Sequence, residues 1–325
     1  MPGPLGVFGI MTFKINRTEV ADSLADRRNN EARIVKLLAY FDVFHYPLTK
    51  NEIRHFLGMS GDEQTLDTTL RELLTRQKIF LHLGFYSIHN SPLLAHRRTV
   101  GNARAEAMLP KAFKIGRFLH RFPYVRGIAI SGSLSKNFAD EKADIDFFII
   151  AKANRLWIAR TFMHLFKKLT FITGHQHYFC MNYYIDEEAM LIESQNIFTG
   201  IEIATLLPVA GKESLDNFFA INKWSQDFFP TREHKQLQND QHRRLWLKSF
   251  PEWLFENSIG DRLDNWLLKI TTRRWQEKNS KGKRNKNGNT MSLVNSKHLS
   301  RSNPGAFQER VLAKYEQKLI DLKLD

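Results

Sequence analysis

Residues 129–150 read AISGSLSKNFADEKADIDFFII, and their interpretation decides how the chain is understood. An apolar run ends in Gly132-Ser133. Ten residues after Ser133, a second apolar run opens with Asp144-Ile145-Asp146. The apolar runs predict two strands, and the small pair between them predicts a turn into a short helix. Residues two apart in a strand share a face. Asp144 and Asp146 should therefore project together, while Ile145 and Phe147 enter the opposite layer. Two carboxylates side by side repel, and an apolar strand offers them no compensation. A bound cation removes that penalty. Hard oxygen ligands favour Mg²⁺ or Mn²⁺, and Mg²⁺ commonly takes one or two carboxylates plus substrate phosphates. The competing reading is an edge ion pair with Arg126 or Lys152.

The turn supplies the complementary half. Glycine admits close approach of a phosphate, a helix start offers free amides, and Ser133 adds a hydroxyl. Lys136 and Lys142 are candidate phosphate neighbours, with solvated loop lysines as the alternative. One loop would grip a triphosphate, and the next strand would grip the metal bridging to it.

Gly-Ser, a gap of ten, and Asp-x-Asp inside an apolar strand resemble the signature of the DNA polymerase β-like nucleotidyltransferase superfamily. The match covers about residues 124–186. The resemblance implies transfer of a nucleoside monophosphate from a nucleoside triphosphate to an acceptor, with pyrophosphate leaving and metal ions supporting in-line attack. It assigns Gly132 and Ser133 to the triphosphate and Asp144 and Asp146 to the metals. The family often carries a third carboxylate on a later strand. That position falls in YFCMNYYI, centred on Asn182, which can ligate a cation but cannot serve as a general base. Asp186 has the same strand parity and is the substitute; the Asp-Glu-Glu it opens also reads as a turn. The alternative to an enzyme is a catalytically degenerate nucleotide sensor, or a nucleic-acid or protein-binding regulator.

Outward from this core, residues 30–88 show three helical patterns and a hairpin about Gly84, the order of a winged helix. Pro47 stops the first helix, Thr49 and Glu52 form a capping box, and Gly58 ends the second helix. The third pattern, 62–78, carries four acids against three bases, poor chemistry for a phosphate-lined groove. Pro110 marks a kink or boundary in the basic helical stretch 92–120. The expected organisation is α+β: a flexible segment 1–28, a winged-helix-like domain 29–91 and connecting helices 92–122. A small mixed-sheet catalytic core follows over 123–212, then a helical region 213–272, a flexible linker 273–304 and a docking helix 305–325. Helices within 197–229 should close one wall of the cleft.

The net charge is +14, and residues 273–301 hold nine basic residues against one acid, Glu277. That segment reads as a solvated linker or a contact for nucleic acid or an acidic partner. No apolar run reaches membrane-spanning length, so no membrane partner is expected. The opening MPGPLGVFGIMTF lacks a signal peptide's basic start, and Met11 is an alternative start. The single cysteine, Cys180, excludes a disulfide framework and fits a reducing, cytoplasmic setting. It reads as a core thiol. His120 and His164 read as packing residues, and His175-Gln176-His177 as a polar loop.

Overall fold

Leucines and aromatics at helical spacing build α1 (Arg17–Asp42), which is followed by β1 (Leu48–Thr49), α2 (Lys50–Leu57), α3 (Glu63–Thr75), β2 (Phe80–His82) and β3 (Phe85–Ser87). The computed structural model describes residues 17–58, 63–170, 179–228, 246–282, 284, 293–302 and 306–324. The capping box forms at α2: Thr49 Oγ1 accepts from Glu52 N at 3.2 Å, and Thr49 N donates to Glu52 Oε2 at 2.8 Å. Gly58 ends that helix in the left-handed region at φ 69°. The hairpin β2–β3 turns at Gly84, and β1 pairs with β3, giving a three-stranded antiparallel sheet in the order β1-β3-β2. Two residues are too few for β1 to show a period in the sequence.

Next come α4 (Pro92–Leu119), β4 (Val125–Ser131), α5 (Gly132–Ser135), β5 (Asp146–Ala151), α6 (Leu156–Thr170) and β6 (Cys180–Asp186). The chain continues through α7 (Ile197–Thr205), β7 (Leu207–Ala210), α8 (Lys212–Ile221), α9 (Ser225–Phe228), α10 (Trp246–Leu254) and α11 (Ser258–Ser280). It ends with β8 (Leu293–Asn295), β9 (Leu299–Ser302) and α12 (Phe307–Asp321). The architecture is thus mixed α+β, with a second sheet in the order β7-β4-β5-β6-β9-β8. β5 and β6 run parallel, joined through α6; the other neighbours are antiparallel.

Strand alternation sorts the core. Ile128, Ile130, Ile145, Phe147 and Ile149 pack in a cluster with Trp157 and Met163 of α6. Ala129, Phe148 and Ile150 pack in another with Leu215 and Phe218 of α8. Each such fully buried side chain contributes about 2 kcal/mol by leaving water. Asp146 has the parity of Phe148, so it faces the second layer, where α7 also lies.

Several expectations change. Pro110 neither ends nor divides α4, which runs unbroken through it. Burial of Ala105, Ala112 and Gly116 against the sheet outweighs the lost hydrogen bond. Helix α1 already begins inside the segment read as flexible, while residues 1–16 lie outside the described residues. Within the segment 273–304 read as a linker, α11 reaches Ser280 and β9 pairs with β6. Trp157 holds this arm, its indole donating to the carbonyls of Ser296 at 3.1 Å and Lys297 at 3.2 Å. Helix α12 docks by Val311 and Tyr315 into the cluster formed by the first three helices. Its Lys318 reaches the buried Asp42 at 2.5 Å. No described helix is long and apolar enough to cross a membrane.

Candidate functional site

The register of β4 with β5 places Ser131 opposite Asp146, so the turn and the acid strand meet at one end of the sheet. Gly132 has φ +67°, and a Cβ there would stand 2.5 Å from Asp146 Oδ2. Only glycine lets the turn lie against the carboxylate. Ser133 is exposed beside it. Lys136 Nζ donates to Gly132 O at 3.1 Å and to Glu202 Oε1 at 2.8 Å. Helix α5 is one turn long, so its dipole is small; the donors beside the turn are the Ser133 hydroxyl and the Lys136 ammonium, the latter paired with Glu202.

Asp146 begins β5, whereas Asp144 lies just before it and is exposed. The carboxyl of Asp146 is pushed up to about 7, first by its enclosure and then by the charge of Asp144. Asn182, on the neighbouring strand, donates from Nδ2 to Asp146 Oδ1 at 2.7 Å. Asn182 therefore lies beside Asp146, the second acid of the pair. The ion-pair alternative finds its cations engaged elsewhere: Arg126 bonds Glu252 at 2.8 Å, and Lys152 bonds Glu256.

Asp186 is not brought to this site. It sits at the far end of β6, opposite Ala151 rather than Asp146. It is fully buried, accepts from the backbone N–H of Asn154 at 3.0 Å and of Glu188 at 3.1 Å, and pairs with His298 Nδ1 at 2.9 Å. Its satisfied shell makes it a structural acid and removes it as a substitute for the third carboxylate. Lys142 is exposed in the loop between α5 and β5 and does not line the cleft. Cys180 pairs in register with Asp146; burial, then that neighbour's charge, pushes its thiol up to about 12, so it is not a nucleophile. Burial holds His164 neutral, with its pKa well below the ordinary value. His175-Gln176-His177 lies outside the described residues.

The turn, Asp146 and Asn182 open into a cleft of about 710 Å³. Helix α7 forms one wall with Phe198, Thr199, Glu202 and Ile203; α1 adds Tyr40, the turn after it Phe44, and the C-terminal arm Arg301 and Phe307. Glu202 was missed in the sequence. Its signal was there, a lone acid inside the apolar run IFTGIEIATLL. Arg301 fell inside the presumed linker; its Nη1 donates to Gln308 Oε1 at 3.0 Å. At the start of α4 two basic residues are engaged in internal bonds, while Lys111, Lys114 and Arg117 are exposed. Arg98 is buried, bonded to Glu52 at 2.7 Å and stacked 3.7 Å above the Tyr46 ring, while Arg97 pairs with Asp140 at 3.0 Å.

Among the described residues, no group of three His, Cys, Asp or Glu side chains is arranged to hold a metal. Asp146 lines the cleft with the Asn182 amide beside it, and Asp144, outside that lining, acts on it by its charge; the two are a two-carboxylate set. Such a set suits Mg²⁺ when substrate phosphates complete the shell. The raised carboxyl of Asp146 points the same way, since an adjacent cation would relieve the burden that enclosure and Asp144 impose. No protein family, curated protein or solved structure matches the chain.

Proposed function

We propose that this protein is a metal-dependent nucleotidyltransferase, moving a nucleoside monophosphate from a nucleoside triphosphate to an acceptor and releasing pyrophosphate. The observation that carries the reading is the fit of Gly132 against the Asp146 carboxylate: an anion-accepting turn and a cation-seeking acid share one cleft. In this reading β4 to β7 form the nucleotidyltransferase core, and the first three helices with their small sheet form a winged helix. Gly132, Ser133 and Lys136 hold and orient the triphosphate. Asp144 and Asp146 would hold Mg²⁺ or Mn²⁺, which supplies charge neutralisation at the phosphates. Asn182 fixes the orientation of Asp146 and accepts no proton.

Asn182 also favours a second reading, a degenerate domain that binds nucleotide without turning it over. The exposed Arg273, Arg274 and Lys281 would then serve a nucleic-acid or acidic partner. Incubation with labelled nucleoside triphosphates, Mg²⁺ and cell extract separates the two. Transfer predicts pyrophosphate release and a labelled acceptor, both lost in the Asp144→Asn/Asp146→Asn variant. Equal release by that variant would sink the assignment, and binding without release would favour the sensor.

A further inference from the structure

The nucleotide reading leaves the wider part of the cleft unassigned. There Phe44 from the turn after α1, Phe198 from α7 and Phe307 from α12 present aromatic surface, and the buried Tyr40 of α1 belongs to the same lining. Of the three cations lining it, Lys136 is paired with Glu202 and Arg97 with Asp140, while Arg301 bonds the neutral Gln308. Tyr40 is 1% exposed, yet its hydroxyl meets no hydrogen-bond partner among the described residues. Glu202 lies near enough to both regions that its charge acts on Tyr40 and on Asp146. Lys136 holds only its Oε1, and no three-acid metal group includes it, so the carboxylate stays available to a substrate.

We propose that this aromatic chamber is the acceptor site, and that the acceptor is a small, uncharged, ring-bearing molecule whose hydroxyl is presented to Glu202. The inference rests on the nucleotidyltransferase reading. Aromatic walls favour a planar apolar body. A polyanionic acceptor would need several unengaged cations along the groove, and among the described lining residues Arg301 alone lacks a carboxylate partner. In the step, the acceptor oxygen bonds to the α-phosphorus and its proton passes to the Glu202 carboxylate. The bond from the α-phosphorus to pyrophosphate breaks, and pyrophosphate leaves with the electron pair. Glu202 thus supplies from α7 the base that Asn182 cannot be.

The test uses the full chain with ATP and Mg²⁺, and 2-phenylethanol and oligoadenylate as probes. Saturation-transfer NMR should show ring protons of 2-phenylethanol in contact with the protein, and 2-phenylethanol should raise pyrophosphate release. Phe198→Glu, or the gentler Phe307→Glu at a partly exposed position, should weaken the ring contact about tenfold while calorimetry finds Mg–ATP affinity unchanged. Glu202→Gln should keep the ring contact and lower the stimulated release about a hundredfold in kcat. Contact by oligoadenylate instead of 2-phenylethanol, no stimulation by 2-phenylethanol, or full activity of Glu202→Gln would overturn the proposal. So would loss of ATP affinity in the Phe variants, which would give the rings to the base. A wild type that binds no Mg–ATP defeats the nucleotidyltransferase reading itself; one that binds it but ignores 2-phenylethanol defeats only this inference.

Discussion

Strands β5 and β6 carry an aspartate at each end of their shared edge, and the two ends are built in opposite ways. At one end Asp186 is fully buried and saturated with two backbone N–H groups and His298. At the other, Asp146 has one amide donor, a second carboxylate nearby and a pKa pushed up to about 7. A saturated acid is part of the scaffold. An acid left short of positive charge, facing a cleft, waits for a ligand.

Breaking the saturated end should have the largest effect on stability. Asp186→Ala orphans two backbone donors and His298, and is expected to cost about 3 kcal/mol in urea unfolding. The folded fraction should bind Mg–ATP as before. A loss of nucleotide affinity from folded protein would erase the distinction between the two ends.

Gly132→Ala attacks the open end. The left-handed backbone and the 2.5 Å approach to Asp146 Oδ2 leave a methyl no room. The expected loss is about 1–2 kcal/mol of stability, with nucleotide affinity falling about tenfold by calorimetry. Retained affinity would show that the turn does not hold the phosphates.

Titration sharpens the same contrast. Asp146 rises on folding from an ordinary 3.8 to about 7, chiefly through enclosure and then through Asp144. Between those values the folded metal-free protein keeps a proton that the unfolded chain has released. Stability from this group is therefore highest below about pH 4, falls as pH rises to about 7, and is level above. Unfolding of the wild type against Asp146→Asn across this range should show the fall only in the wild type, and added Mg²⁺ should reverse it. The smallest effect is expected from Asn182→Asp. A third acid beside Asp146 should raise Mg²⁺ affinity a few-fold and lower metal-free stability slightly; weaker Mg²⁺ binding would contradict the placing of the metal.

How much could be read beforehand follows from distance along the chain. The turn, the strand that opens at Asp146 and the capping box at Thr49 and Glu52 were legible because each is a local pattern with a local cause; Asp144, read as the strand's other acid, lies just before it. Asn182 was legible as a neighbour of the acid strand, and it lies beside Asp146. Asp186 has the same parity in the sequence, but the irregular pairing of β5 with β6 between Phe147 and Phe148 and its place opposite Ala151 take it away from the site. Glu202, Tyr40 and Arg301 meet at the cleft from α7, α1 and β9, and no spacing in the sequence announces that meeting. Strands β8 and β9 were hidden in a stretch rich in Asn, Ser and Lys, where pairing with β6 and the grip of Trp157 override composition. Pro110 misled because packing of α4 against the sheet outweighs a local breaker.

The most direct measurement is a crystal structure with a non-hydrolysable nucleoside triphosphate and Mn²⁺, read by anomalous scattering. The account predicts a manganese peak between Asp144 and Asp146, with the triphosphate against Gly132 and Ser133. A nucleotide bound with no manganese at those carboxylates, or a triphosphate seated elsewhere, would contradict it.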